Sequence, residues 1–247
     1  MAIYNDTGIN SEQSLESRYN NKAQERELYL ERARDCSELT IPTLIPQDGA
    51  TMAEEFETTY QGIGARGVNN LASKLLLSLL PPNAPFFRLA IDNFAVQEIE
   101  EDENLRTQID SGLVKIEKAV MDDIEMSNDR VAVFEALKHL IVGGNALLFV
   151  SSEGLRVFPL SQYVLERDPM GNVLEIITKE SIAYSALPED IRVAIQSQQG
   201  EKKESDVCDL YTCVKRKPDH FMVHQEVKGI KLEESFGKYK LDQSPYI

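Results

Sequence analysis

Gly62-Ile-Gly-Ala-Arg-Gly67 is the first stretch of this chain whose residue types and spacing could do chemistry. Its glycines match G-x-G-x-x-G, a pattern that turns a strand onto a helix N-terminus and lays a dinucleotide pyrophosphate against bare backbone. The strand-like Phe86-Phe-Arg-Leu-Ala-Ile91 and the acidic Asp92 follow at about one βαβ spacing. The upstream context opposes that chemistry. The fingerprint needs a hydrophobic strand before its first glycine, but Glu54-Glu-Phe-Glu-Thr-Thr59 is acidic and keeps a helical period. A nucleotide-dependent oxidoreductase therefore rests on the glycines alone. The competing expectation is that small residues let another backbone approach a helix closely.

Cys208, Cys213, His220 and His224 occur in C-x4-C-x6-H-x3-H order, which raises zinc and a small metal-stapled binding module. The gap between the pairs is much shorter than in the common zinc finger. Five positions along a strand is also an odd number, so the two cysteines point to opposite faces and cannot share an ion without a bulge. The expected metal ligands are therefore none. Glu98-Ile-Glu-Glu-Asp-Glu103 lacks the glycine and spacing of a calcium loop, and suits a helix N-terminus. His139 stands among apolar helical neighbours, with no serine or cysteine motif beside it, and is expected to be a packed histidine. No G-x-S-x-G, P-loop or H-E-x-x-H motif occurs, so neither a catalytic residue nor a cofactor is expected.

The elements that position these residues follow from periodicity. Asn10 and Ser11 can cap a helix whose Leu15, Tyr19, Ala23, Leu30 and Ala33 recur at helical spacings, with mixed charge on its other faces. Ile41-Pro-Thr-Leu-Ile-Pro46 reads as an extended link. Thr51 and Glu54 form a capping box for a helix running through Phe56, Tyr60, Ile63, Leu71, Leu75 and Leu79. Val68, Ala72, Leu76 and Leu80 widen its apolar face, and Pro81-Pro82 ends it. Leu105, Ile109, Leu113, Ile116, Val120 and Ile124 predict a long helix, and Asn128-Asp129 opens another that Gly143-Gly144 terminates.

From Asn145 the pattern changes to strands: 146–150 and 155–158 about Ser151-Ser-Glu-Gly154, then 163–167 and 173–178 about Asp168-Pro-Met-Gly171. Pro188 opens a short helix ending near Gly200, with strands at 207–214 and 221–227 and an interrupted strand at Tyr246-Ile247. The fold class is α+β, long helices first and a β-rich region after. The expected divisions are a polar arm and amphipathic helix at 1–45, a helical region at 46–142 and a β-rich region at 143–247.

Bulk properties narrow the function. The 247 residues and 42% hydrophobic content suffice for a substantial core. Forty-one acidic against 26 basic residues give a net charge of −15, which disfavours generic binding to phosphate backbones. Three irregularly spaced cysteines make no disulfide framework and suit a reducing compartment. The N-terminus lacks the basic and apolar regions of a secretory signal, and no apolar run approaches the ~20 residues of a membrane-spanning helix.

Ile63-Gly-Ala-Arg-Gly-Val-Asn-Asn-Leu-Ala-Ser-Lys-Leu-Leu76, running into Leu79-Leu-Pro-Pro-Asn-Ala-Pro-Phe-Phe-Arg-Leu89, resembles the portal proteins, or head-to-tail connectors, of short-tailed podophages of the T-seven type. The likeness continues more loosely through the first helix, Gly143-Gly-Asn145 and Gln243-Ser-Pro-Tyr-Ile247. It implies a structural, non-enzymatic subunit of a dodecameric ring at the capsid vertex, a channel for genome packaging and ejection. Implied partners are further copies of the chain, capsid and scaffold proteins, tail adaptor, packaging motor and the double-stranded DNA passing through, with no membrane. The implied location is the virion, and host cytoplasm during assembly. Such portals are longer, adding stem, clip and crown, so the chain corresponds to an N-terminal wing part. Arg66, Asn69, Asn70, Lys74 and Arg88 are the polar residues of the shared stretch. They are candidates for the subunit interface, where buried polar groups must find partners.

Overall fold

The computed structural model describes residues 13–47, 61–82, 84–90, 103–152, 154–199 and 206–247. The fold is α+β, and its helices precede most of its strands. In chain order they are α1 (Leu15–Glu38), α2 (Ile63–Leu79), α3 (Glu103–Met126), α4 (Asp129–Gly143), β1 (Leu147–Ser151), β2 (Gly154–Phe158), β3 (Tyr163–Arg167), β4 (Val173–Ala183), α5 (Glu189–Gln199), β5 (Val207–Arg216), β6 (His220–Val227) and β7 (Ile230–Lys240). Residues Met1–Asp35 and Phe158–Ile247 form one compact unit, and Cys36–Val157 form a second.

In the first unit a five-stranded antiparallel sheet runs β3-β4-β5-β6-β7. Strand side chains alternate, so each face collects every second residue. Leu15, Tyr19 and Ala23 of α1 lie on Val164, Ile177, Tyr211 and Cys213 of one face. Ile191 and Ile195 of α5 join Tyr184, Leu187, Cys208 and Val227 on the other. Polar groups tie α1 down as well. The Arg26 guanidinium donates to the carbonyls of Leu160, Ser161 and Tyr163, and the Tyr19 hydroxyl donates to Ser161 O at 2.7 Å. Leu15 N–H, at the start of α1, donates to the buried Glu226 carboxylate at 2.9 Å.

Strand β7 departs from expectation, since the periodicity shows no strand between Val227 and Tyr246. On β6, Val223 pairs with Gly237 and Gln225 with Leu232, so one β6 residue lies opposite four on β7. That bulge breaks the alternation by which a strand is recognised. The turn before it carries a readable signal: Lys228 (φ 51°) and Gly229 (φ 81°) form a two-residue loop closed by the Val227–Ile230 pair, the left-handed pairing of a tight hairpin.

In the second unit α2 packs on α4, with Val68 and Ala72 buried on one and Ala136, Leu137 and His139 on the other. Pro81 and Pro82 end α2 as expected, and Arg130 donates to the freed carbonyls of Leu80 (2.8 Å) and Pro81 (3.3 Å). Gly144, at φ 75°, closes α4 with its N–H on Leu140 O at 3.0 Å. Asp129, expected only as part of a helix start, also accepts Leu155 N–H at 2.8 Å and fastens the β1–β2 hairpin to α4.

Three expectations are corrected here. Helix α2 begins at Ile63, with Gln61 outside it and Gly62 as its N-cap, a position that glycine suits better than a helix interior; the expected capping box and Phe56 and Tyr60 lie outside the described residues. Residues 41–46 are turned, not extended. The buried Ser37 hydroxyl donates to Ile41 O (2.8 Å) and accepts Ile45 N–H (3.1 Å), folding the link back on α1's end. Residues 86–90 form no strand; Leu89 N–H is held by Glu117 at 2.6 Å.

His139 and His224 are both buried, and burial lowers both imidazole pKa values below the ordinary 6.5. The folded state then binds fewer protons than the unfolded chain, so stability is full above about pH 6.5 and falls as the pH drops toward the depressed folded values. Melting temperature followed from pH 8 to 5 checks this. A flat profile through 6.5 contradicts it.

Candidate functional site

The three glycines of the G-x-G-x-x-G stretch have separate fates. A Cβ on Gly64 would lie 2.7 Å from Leu39 O and 3.2 Å from the Thr40 Cα, so this glycine admits another backbone to the helix. Gly62 and Gly67 face open space. The middle glycine is therefore occupied by the chain's own backbone, which leaves no cradle of three glycines for a pyrophosphate.

The zinc quartet is dispersed. Cys208 sits in the α5 cluster and Cys213 in the α1 cluster, on opposite faces of the sheet. His224 pairs in register with Cys213 and stacks on Phe236 with ring centroids 5.6 Å apart, while His220 lies 2.6 Å from Asp219. Among the described residues no group of three or more His, Cys, Asp or Glu side chains could hold a metal ion, and no helix is long and apolar enough to cross a membrane.

What remains is the outer surface of α2. Arg66, Asn70 and Lys74 follow one another at four-residue intervals and share one helical face, with Asn69 on the adjoining row. All four are exposed. Arg88 is exposed too, but lies beyond the Pro81-Pro82 break on a separate segment. Helix α2 carries no acidic residue, although the whole chain has a charge of −15. Neither Arg66 nor Lys74 has an ion-pair partner among the described residues.

Apolar residues border this basic row. Ile63 is 68% exposed, Leu71 46% and Leu77 57%. Ile63, Leu71 and Leu79 were expected on the buried face; the buried stripe instead centres on Val68 and Ala72. Among the described residues, α4 and the Leu39–Thr40 backbone cover only part of a helix that is apolar on several sides, and such a helix calls for a further partner. Helix α3 departs in the same way. Met121 is buried, and Ile109, Leu113 and Ile124 are half-buried, but Ile116 and Val120 of its expected stripe are exposed.

The family of bacteriophage head to tail connecting proteins matches residues 12–247. The chain is 39% identical over 98% of its length to the portal protein of Escherichia phage T7, and 37% identical over its full length to that of Enterobacteria phage T3. Its identity to the portal protein of Enterobacteria phage SP6 is 30% over 91% of the chain. It spans 46%, 47% and 44% of those three relatives, about half of each. A match that runs through α1, the glycine-bearing α2 and the whole five-stranded sheet places the chain in the bacteriophage head to tail connecting protein family.

Proposed function

We propose that the chain is part of a structural subunit of a phage portal ring, the head-to-tail connector at the capsid vertex, and that α2 contributes to the contact between subunits. The ring surrounds a channel for genome packaging and ejection and gives the tail its attachment point. Capsid, scaffold, tail adaptor and packaging motor are its protein partners, and double-stranded DNA passes through it. On this reading residues 46–142 and 143–247 are the helical and β-rich parts of the wing, 1–45 leads into them, and the protein resides in the virion.

The observation that carries this reading is family membership over 12–247, joined to an exposed α2 face that pairs basic and amide side chains with large apolar ones. Interfaces combine an apolar core with polar groups that find partners across it, and an arginine within one is often a strong contributor. A strong net negative charge also fits a wall past which DNA slides, since a basic wall would hold the phosphates.

Negative-stain electron microscopy of the complete subunit at native salt tests the ring. Rings with a central hole are expected, and a uniform population of single subunits overturns the proposal. The interface has its own test: Arg66→Glu is expected to abolish rings while the far-ultraviolet helical signal stays intact. Unchanged rings reject a contact role for α2.

A further inference from the structure

We propose that the surface receiving α2 of one subunit is an exposed face of α3 on the next. This rests on the ring proposed above, in which each contact joins two different patches so that the arrangement closes on itself. The patch facing α2 must therefore be another element, apolar and acidic where α2 is apolar and basic.

Helix α3 fits that description toward its C-terminal end, beyond Lys115 and Lys118. Gly112, Ile116, Ala119, Val120, Asp123 and Met126 recur at helical intervals and line one side of it. Ile116 is 53% exposed, Val120 39% and Met126 81%, while Ala119 and Asp123 are exposed and a Cβ on Gly112 would meet nothing. This is a largely apolar strip on a helix of 24 residues, left open to water by the described residues. Asp123 lies within it and Asp122 beside it, and neither has an ion-pair partner among the described residues.

The two faces complement each other group by group. Ile63 and Leu77 of α2 supply apolar surface for Ile116, Val120 and Met126, and Arg66 and Lys74 supply the charge that Asp122 and Asp123 lack. Complementary charge sets register and excludes wrong partners, while the apolar strip supplies the area removed from water.

Charge exchange tests the pairing in the complete subunit, with ring formation read by mass photometry and folding by circular dichroism. Arg66→Glu with Lys74→Glu, and separately Asp122→Lys with Asp123→Lys, each place like charges across the contact. Each double variant is expected to stay folded and to weaken association by about a hundredfold or more. Mixed in equal amounts, the two are expected to restore rings, because contacts between two reversed faces then alternate with contacts between two native ones, and opposite charges meet at each.

Folded variants that both lose rings and fail to recover on mixing overturn the α2–α3 pairing, and leave α2 as a contact that meets some other surface. Loss of rings in the α2 variant alone overturns the pairing too. Rings that persist in the α2 variant overturn the interface reading on which the pairing rests.

Discussion

Arg18→Ala is expected to destabilise the sheet-bearing unit by about 3–5 kcal/mol, because it removes one partner of a buried ion pair and leaves the other charged. Arg18 reaches from α1 to Glu175 on β4, with side chains 14% and 5% exposed. Glu175 also has Lys22 Nζ at 3.7 Å and the Cys213 thiol at 3.6 Å, so the remaining attraction from Lys22 holds the loss toward the lower end of that range. The variant Arg18→Met with Glu175→Leu should recover most of the loss, since a well-packed apolar pair of similar volume is often as stable as the ion pair it replaces. Urea unfolding midpoints of the three proteins check both statements. A cost for Arg18→Ala below about 1 kcal/mol would class the pair with exposed salt bridges and contradict its burial. Cys213 provides a local readout. Its thiol is buried beneath α1, and burial raises its pKa, so faster labelling in the variant would report α1 lifting from the sheet.

Gly64→Ala and Gly67→Ala, three residues apart on one helix, are expected to move stability in opposite directions. At Gly64 the added methyl meets Leu39 O at 2.7 Å, and the obstacle is backbone, which cannot swing aside as a side chain can. Overpacking of this kind costs about 1–3 kcal/mol, and the gain in helix propensity offsets about 1 kcal/mol of it. At Gly67 the methyl enters open space inside α2, so only the propensity gain of about 1 kcal/mol remains. Thermal unfolding should show a lower midpoint for Gly64→Ala and a higher one for Gly67→Ala. Equal shifts would mean that the close approach at Gly64 does not occur in solution.

Those glycines also show how far residue spacing can be read. The string G-x-G-x-x-G is the same whether it cradles a phosphate or fits a helix against a carbonyl, and the difference lies in what arrives opposite it. Leu39 and Thr40 are 25 and 24 positions before Gly64, and no local pattern announces that they come to rest there. The cysteines were more legible. An odd separation along a strand puts Cys208 and Cys213 on opposite faces whatever the sheet packs against.

Most element types, the C-terminal ends of α2 and α4 and both early hairpins follow from the chain itself, because prolines, glycines and the periods of 2 and 3.6 residues act over a few neighbours. The resemblance carried by Ile63 to Leu89 was likewise present in the residues. What only the tertiary structure decided was which apolar residues are covered. Ile63, Leu71, Ile116 and Val120 have the same hydrophobicity as their buried neighbours, and they are exposed because the packing of the described residues on α2 and α3 covers part of each circumference. Periodicity identifies a residue's side of its helix, but burial depends on what the rest of the fold brings to that side. The candidate interface is the remainder, apolar and charged side chains that the chain makes and then leaves uncovered.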